Sequence, residues 1–257
     1  MEHVTRELYC SPKCGLSFVY SLSSVSLRIG KWDERRKPKP VLFVRNPYSR
    51  LVSYYVNKVV YCALSGDGCS VYRMVTMVED PVRHGFGCDP DIDLPDTARG
   101  IATWSFRQFV EWLEKQDPYD VERHLKPQFI WTGAVHDEGT LHGESPVKDY
   151  EVFQIEKLNE PETQERFGDV FCVSPKHGDR ADRVQEIFHE AQERPINRTP
   201  RTKSCKHDVY DMTPSEMRSK KHIPSCVNRY YNEEIASKVY NYYKQDFELY
   251  SYIKETP

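Results

Sequence analysis

The 257-residue sequence has no apolar run near the roughly 18 residues a membrane-spanning helix needs. It has no CxxC pair, so its eight cysteines do not describe a structural zinc site. They read equally as free thiols or as disulfide staples around Cys62, Cys69 and Cys88. The GxxxxGK nucleotide loop followed by Ser or Thr is absent. Neither charge sign dominates: 36 Lys and Arg against 39 Asp and Glu leave a net charge of −3. Bulk electrostatics therefore predicts no nucleic-acid partner, and any anion site has to come from local clustering of basic residues. Internal repeats and low-complexity tracts are also missing. The opening "MEHVTRELYC" lacks the apolar core of a signal peptide and reads as the approach to a first strand. The expectation is a soluble cytoplasmic protein, or a domain trimmed from a longer precursor.

Alternating strands and helices are what is present. Residues 6–11 form a short strand candidate that runs into "SPKCGLS". "VLFV" at 41–44 is a continuous apolar run, the mark of a strand buried on both faces in a parallel sheet. From Ser49 onward, Val52, Val56, Val59 and Val60 share one helical face. Phe106, Phe109, Val110 and Leu113 follow i, i+3, i+4, i+7 spacing in "TWSFRQFVEWLEK". "YEVFQI" at 150–155 alternates as a strand does, and residues 181–193 and 232–250 read as helices. Residues 65–100 show no period and are rich in Gly, Pro and Asp, a long irregular insertion. The order predicts an α/β protein with a central, mainly parallel sheet flanked by helices.

Two strand ends carry anion-binding residue types, and ligands of open parallel sheets bind at such ends. In "SPKCGLS", Lys13-Cys14-Gly15 turns from a strand toward a helix, gathering backbone N–H groups and an ammonium around one point. Ser17 adds a hydroxyl. A plain βα turn with an exposed lysine reads as well. In "VLFVRNPYSRLVSYY", Arg45 ends the strand with a planar fork of donors, and Ser53 follows eight positions later inside the helix. A capping arginine and an unrelated serine are the simpler account of that pair alone. The second strand ends in arginine where an Mg²⁺-binding Asp would serve a kinase, so the pattern suits a nucleotide bound without metal.

On these residues the chain resembles sulfotransferases that use 3′-phosphoadenosine 5′-phosphosulfate (PAPS), and most closely the carbohydrate sulfotransferase group (Sulfotransfer_2-like). "PKCGLSFV" looks like their 5′-phosphosulfate loop, and "FVRNPYSRLVSYY" is similar to their 3′-phosphate motif. "RHLKPQ", "YEVFQIEKLNE", "INRT" and "YYKQDFELYSY" match further segments of that group in order. The resemblance implies a P-loop-like three-layer fold formed by one domain over residues 1–257, with the insertion at about 65–100 and a basic loop at about 194–230. It implies transfer of a sulfuryl group from PAPS, leaving the desulfated nucleotide PAP, to an acceptor hydroxyl on a glycan, with no metal. The loop Pro12, Lys13, Cys14, Gly15, Leu16, Ser17 and Phe18 would hold the 5′-phosphosulfate, with Lys13 stabilising charge on the leaving oxygen. Arg45 and Ser53 would bind the 3′-phosphate. If the chain is trimmed, the resemblance implies a domain of the Golgi-lumen type.

The general base is the open part. The segment between the two motifs contains no histidine, only Asp33 and Glu34 in a charged connector. His124 in "RHLKPQ" is the first candidate for general base, with a structural histidine as the alternative. Glu156 ends a strand and reads as a substrate contact or a salt bridge. Phe18, Trp32 and Trp104 could stack on adenine but are more simply core residues. Two rivals stay open: another nucleotide-dependent transferase of kinase type, and a non-catalytic module that binds PAP or a sulfated partner.

Overall fold

The computed structural model describes residues 8–10, 41–61, 103–122, 124–133, 150–170 and 206–254. Side chains at 8–10, 61, 131–133, 168–169 and 218 are not part of the description. The predicted insertion at 65–100, the helix at 181–193 and the loop Pro12–Phe18 lie outside the described residues. So do Trp32, Asp33 and Glu34. The chain divides into two compact units, Met1–Asn46 with Trp131–Arg198, and Pro47–Ile130 with Thr199–Pro257.

The first unit holds a parallel sheet. Strands β1 (Leu8–Cys10), β2 (Val41–Val44) and β3 (Glu151–Gln154) lie in the order β1-β2-β3. Leu8 pairs with Val41, and Val41 with Glu151, both in parallel register. The central position of β2 explains its unbroken apolar sequence: Val41, Leu42, Phe43 and Val44 are all buried. Phe43 and Phe153 are register partners with ring centroids 5.9 Å apart. Phe167 of the next helix (Pro161–Val170) meets Phe153 edge-on at 5.6 Å. Arg166 of that helix lies 4.4 Å over the same ring and donates to the Val152 carbonyl. β3 is shorter than the 150–155 reading, because Ile155–Lys157 turns into a 3₁₀ helix.

The second unit is helical. It contains α1 (Pro47–Tyr54), α2 (Phe106–Leu113), the start of α3 (Gln128–Gly133), α5 (Pro214–Ser219), α6 (Glu233–Tyr242) and α7 (Lys244–Leu249), α4 being the Pro161–Val170 helix of the sheet unit. Pro47 opens α1, where a missing N–H and a fixed φ cost nothing. After Tyr54 the helix widens into a π-helical stretch, Tyr55–Tyr61. The valines expected on one face, Val52, Val56, Val59 and Val60, are all fully buried. In α2 the expected set Phe106, Phe109, Val110 and Leu113 is buried as spaced. A capping box starts this helix, with the Ser105 side chain accepting from Gln108 N–H and Gln108 reaching back to Ser105 N–H.

Aromatic edges join these elements. Phe106 meets Tyr55 and Tyr231, each at 5.2 Å, and Tyr48 meets Phe247 at 4.9 Å. The buried phenols serve as donors to main-chain carbonyls: Tyr55 to Trp104 and Tyr243 to Leu125, both at 2.8 Å, and Tyr231 to Tyr48 at 3.0 Å. Burial keeps them protonated, holding Tyr48 at about 12 and pushing Tyr55, Tyr231 and Tyr243 well up. The expected helix 232–250 is two helices, broken at Tyr243 (φ −104°, ψ 21°), the residue whose hydroxyl is tied to Leu125. Ser105→Ala removes the cap of α2 and is expected to cost about 1 kcal/mol in urea unfolding. An unchanged midpoint would show that the cap does not hold the helix.

Candidate functional site

Arg45 leaves the carboxyl end of β2 in the sheet unit, with about a quarter of its side chain exposed (24%). Its Nε lies 3.9 Å from Glu156 Oε1, just past β3. The same carboxylate oxygen accepts the Asn46 N–H at 3.0 Å. One carboxylate thus fixes the backbone where the chain leaves β2 and sits beside the guanidinium that ends it. Of the readings for Glu156, the salt bridge is the one observed. Ser53 belongs to the helical unit, in the last turn of α1, and is half-buried.

The helical unit builds a second group of polar residues around His124. The chain turns at Glu122, whose carbonyl accepts Leu125 N–H at 2.7 Å and Lys126 N–H at 3.2 Å. His124 therefore stands in a turn before Pro127, as its sequence context predicts. Its Nδ1 faces Glu122 Oε1 at 2.5 Å and its backbone N–H donates to Glu122 Oε2 at 2.8 Å. The imidazole is 21% exposed and lies against the Tyr54 ring at 6.2 Å.

Three side chains from distant positions hold this turn. Arg50 of α1, 2% exposed, donates to the carbonyls of His124 (3.0 Å) and Lys126 (2.7 Å). Tyr243 donates to Leu125 between them. Asp246 of α7, fully buried, accepts Gln128 N–H at 2.7 Å on one oxygen and Phe129 N–H at 2.8 Å on the other. These N–H groups open α3, so Asp246 acts as its N-cap from another helix. Burial pushes the Asp246 carboxyl up, while Arg50 and the N–H groups of Gln128 and Phe129 pull it down.

Sequence reasoning named Arg45, Ser53, His124 and Glu156 but not Glu122, Arg50 or Asp246. Glu122 stands next to the matched "RHLKPQ", and its two-residue spacing to His124 was the available signal. Arg50 was only a letter of the 3′-phosphate motif. Trp104 packs against Trp112 at 6.1 Å, beside the core. Among the described residues, no group of three or more His, Cys, Asp or Glu could hold a metal ion.

The segment containing Arg45, Ser53, Glu122 and His124 has a recognisable lineage. Residues 22–136 match the model of the Sulfotransferase family. Over this stretch the chain is similar to sulfotransferases. The match covers less than half of the 257 residues and leaves out the Lys13 loop, Glu156 and Asp246. No curated protein and no solved structure matches the chain significantly. Sulfuryl transfer is the chemistry this match supports, with a sulfate donor and an acceptor implied by it. Among the described residues no helix is long and apolar enough to cross a membrane.

Asp246→Asn tests the support of the His124 turn. An amide offers one acceptor where two backbone N–H groups converge, so one donor loses its partner. The expected cost is about 1–3 kcal/mol in denaturant unfolding. A variant as stable as the parent would remove Asp246 as the cap of α3.

Proposed function

We propose that this chain transfers a sulfuryl group from PAPS to an acceptor hydroxyl, with a glycan as the acceptor class. The observation that carries the reading is Arg45, a guanidinium at the carboxyl end of a buried parallel strand inside the sulfotransferase-family segment. A guanidinium fork matches phosphate, and its place at a parallel strand end is where α/β sheets take ligands. The residues present fit a 3′-phosphate in donor chemistry. Arg45 and Ser53 would hold that phosphate, and the loop Pro12–Phe18 would cradle the 5′-phosphosulfate around Lys13. The parallel sheet supports a P-loop-like fold, with the whole chain as one catalytic domain and the 65–100 and 194–230 segments shaping acceptor and nucleotide binding. Cys226 is disulfide-bonded, which favours an oxidising compartment of the Golgi-lumen type over a reducing cytoplasm.

Sulfuryl transfer resembles phosphoryl transfer: in-line attack through a loose transition state, with charge gathering on the leaving oxygen. The Lys13 ammonium would stabilise that charge. His124 would take the proton of the acceptor hydroxyl as it attacks sulfur. No step calls for a metal.

PAP without Mg²⁺ is expected to raise the melting temperature, since a ligand at 100 times its Kd stabilises by about 2.7 kcal/mol. Stabilisation by Mg²⁺-ATP and none by PAP would sink the assignment. Arg45→Ala and Lys13→Ala are expected to abolish transfer of labelled sulfate from PAPS while the fold survives. His124→Ala is expected to lower kcat by about 10²- to 10⁴-fold with PAP binding retained. Near-parental turnover in that variant would remove His124 as the base.

A further inference from the structure

We propose that Glu122 is a positioning residue that sets the tautomer of His124; this rests on the reading of His124 as the base. The two residues are joined twice. Glu122 Oε2 accepts the His124 backbone N–H at 2.8 Å, and Oε1 faces Nδ1 at 2.5 Å. The Glu122 side chain is 9% exposed, so water competes poorly for its oxygens. On the other side of His124, the carbonyl is held by Arg50 at 3.0 Å. The backbone on both sides of the imidazole is therefore anchored.

The hydrogen-bond roles follow from the atoms. A backbone N–H can only donate, and an ionised carboxylate can only accept. With Oε2 taken by the backbone N–H, Oε1 is the acceptor for Nδ1, which must carry a proton. The lone pair of the neutral ring then sits on Nε2, the nitrogen directed away from Glu122. As the acceptor hydroxyl attacks, its proton goes to Nε2, and the resulting imidazolium is balanced by the Glu122 carboxylate. No bond to Glu122 forms or breaks, and Glu122 touches no reacting atom.

This geometry makes an unusual demand on substitutions. Glu122→Gln keeps the size but carries one acceptor and one donor. The backbone N–H of His124 cannot change role, so it takes the amide oxygen. The amide NH₂ then faces Nδ1, forcing Nδ1 to accept and moving the proton to Nε2. The base loses its lone pair at the reacting position. Glu122→Ala removes the carboxylate without placing a donor against Nδ1, so it does not impose the opposite tautomer. The near-isosteric variant is therefore the worse enzyme. A merely structural Glu122 predicts the reverse order, with Gln better tolerated than Ala.

The test uses the full chain in three forms: parent, Glu122→Gln and Glu122→Ala. Each is checked for folding by its melting temperature with and without PAP. Histidine-¹⁵N-labelled protein, with His124→Asn to assign the signal, reports the neutral tautomer directly. The parent is expected to carry the proton on Nδ1 and Glu122→Gln on Nε2. Transfer of labelled sulfate is expected to fall by on the order of 10²-fold or more in Glu122→Gln, the range that loss of a general base gives. Glu122→Ala is expected to fall less. An Nδ1 proton in Glu122→Gln, or turnover in which Gln exceeds Ala, overturns the proposal. Should the parent transfer no sulfate at all, the functional reading fails, and the tautomer of His124 still decides the role of Glu122.

Discussion

A guanidinium is out of water in the helical unit, and much else is arranged around it. Arg50 is 2% exposed and donates to two backbone carbonyls in a turn more than 70 positions along the chain. Burying a charge this deeply is unfavourable unless its donors are satisfied and an opposite charge is near. Both conditions are met. The carbonyls of His124 and Lys126 take the donors, Asp246 supplies electrostatic balance, and the Tyr243 ring lies 5.8 Å away. The turn that carries His124 is thereby pinned by α1 and by the α6–α7 junction. Its polar backbone would otherwise be an awkward loop to bury.

The sheet unit solves a different electrostatic problem. Glu156 both accepts from Asn46 and sits beside Arg45, so the strand end presents a guanidinium whose charge is partly balanced. Under the proposed reading, a 3′-phosphate arriving there meets a nearly neutral pair rather than a bare cation. Its affinity then depends on donors other than Arg45. That fits a chain whose net charge is only −3 and whose anion recognition has to be local.

Periodicity carried the fold reading where burial is one-sided or complete. The run Val41–Val44 announced a central parallel strand, and the four apolar positions of α2 fell where their spacing placed them. The place of Arg45 at a strand end was legible because the apolar run before it ends there. Glu122 and Asp246 were not. Asp246 acts on Gln128 across 118 positions, and no local pattern encodes such a pairing. The cap of α3 stands on another helix, and no residue beside Gln128 signals it. The π-helical winding after Tyr54 escaped because Val52, Val56 and Val60, four apart, suit an α-helical stripe as well.

The remote cap has a consequence for how the chain matures. A protein made from its amino end exposes Gln128 and Phe129 long before Asp246 exists. Until residues 243–246 emerge, α3 has no acceptor for its first N–H groups and Leu125 has no phenol at its carbonyl. The turn bearing His124 therefore takes its final form only after residues 243–246 have been made. A nascent chain halted before Tyr243 would carry both its histidine and its glutamate, yet lack the shape that makes them a pair.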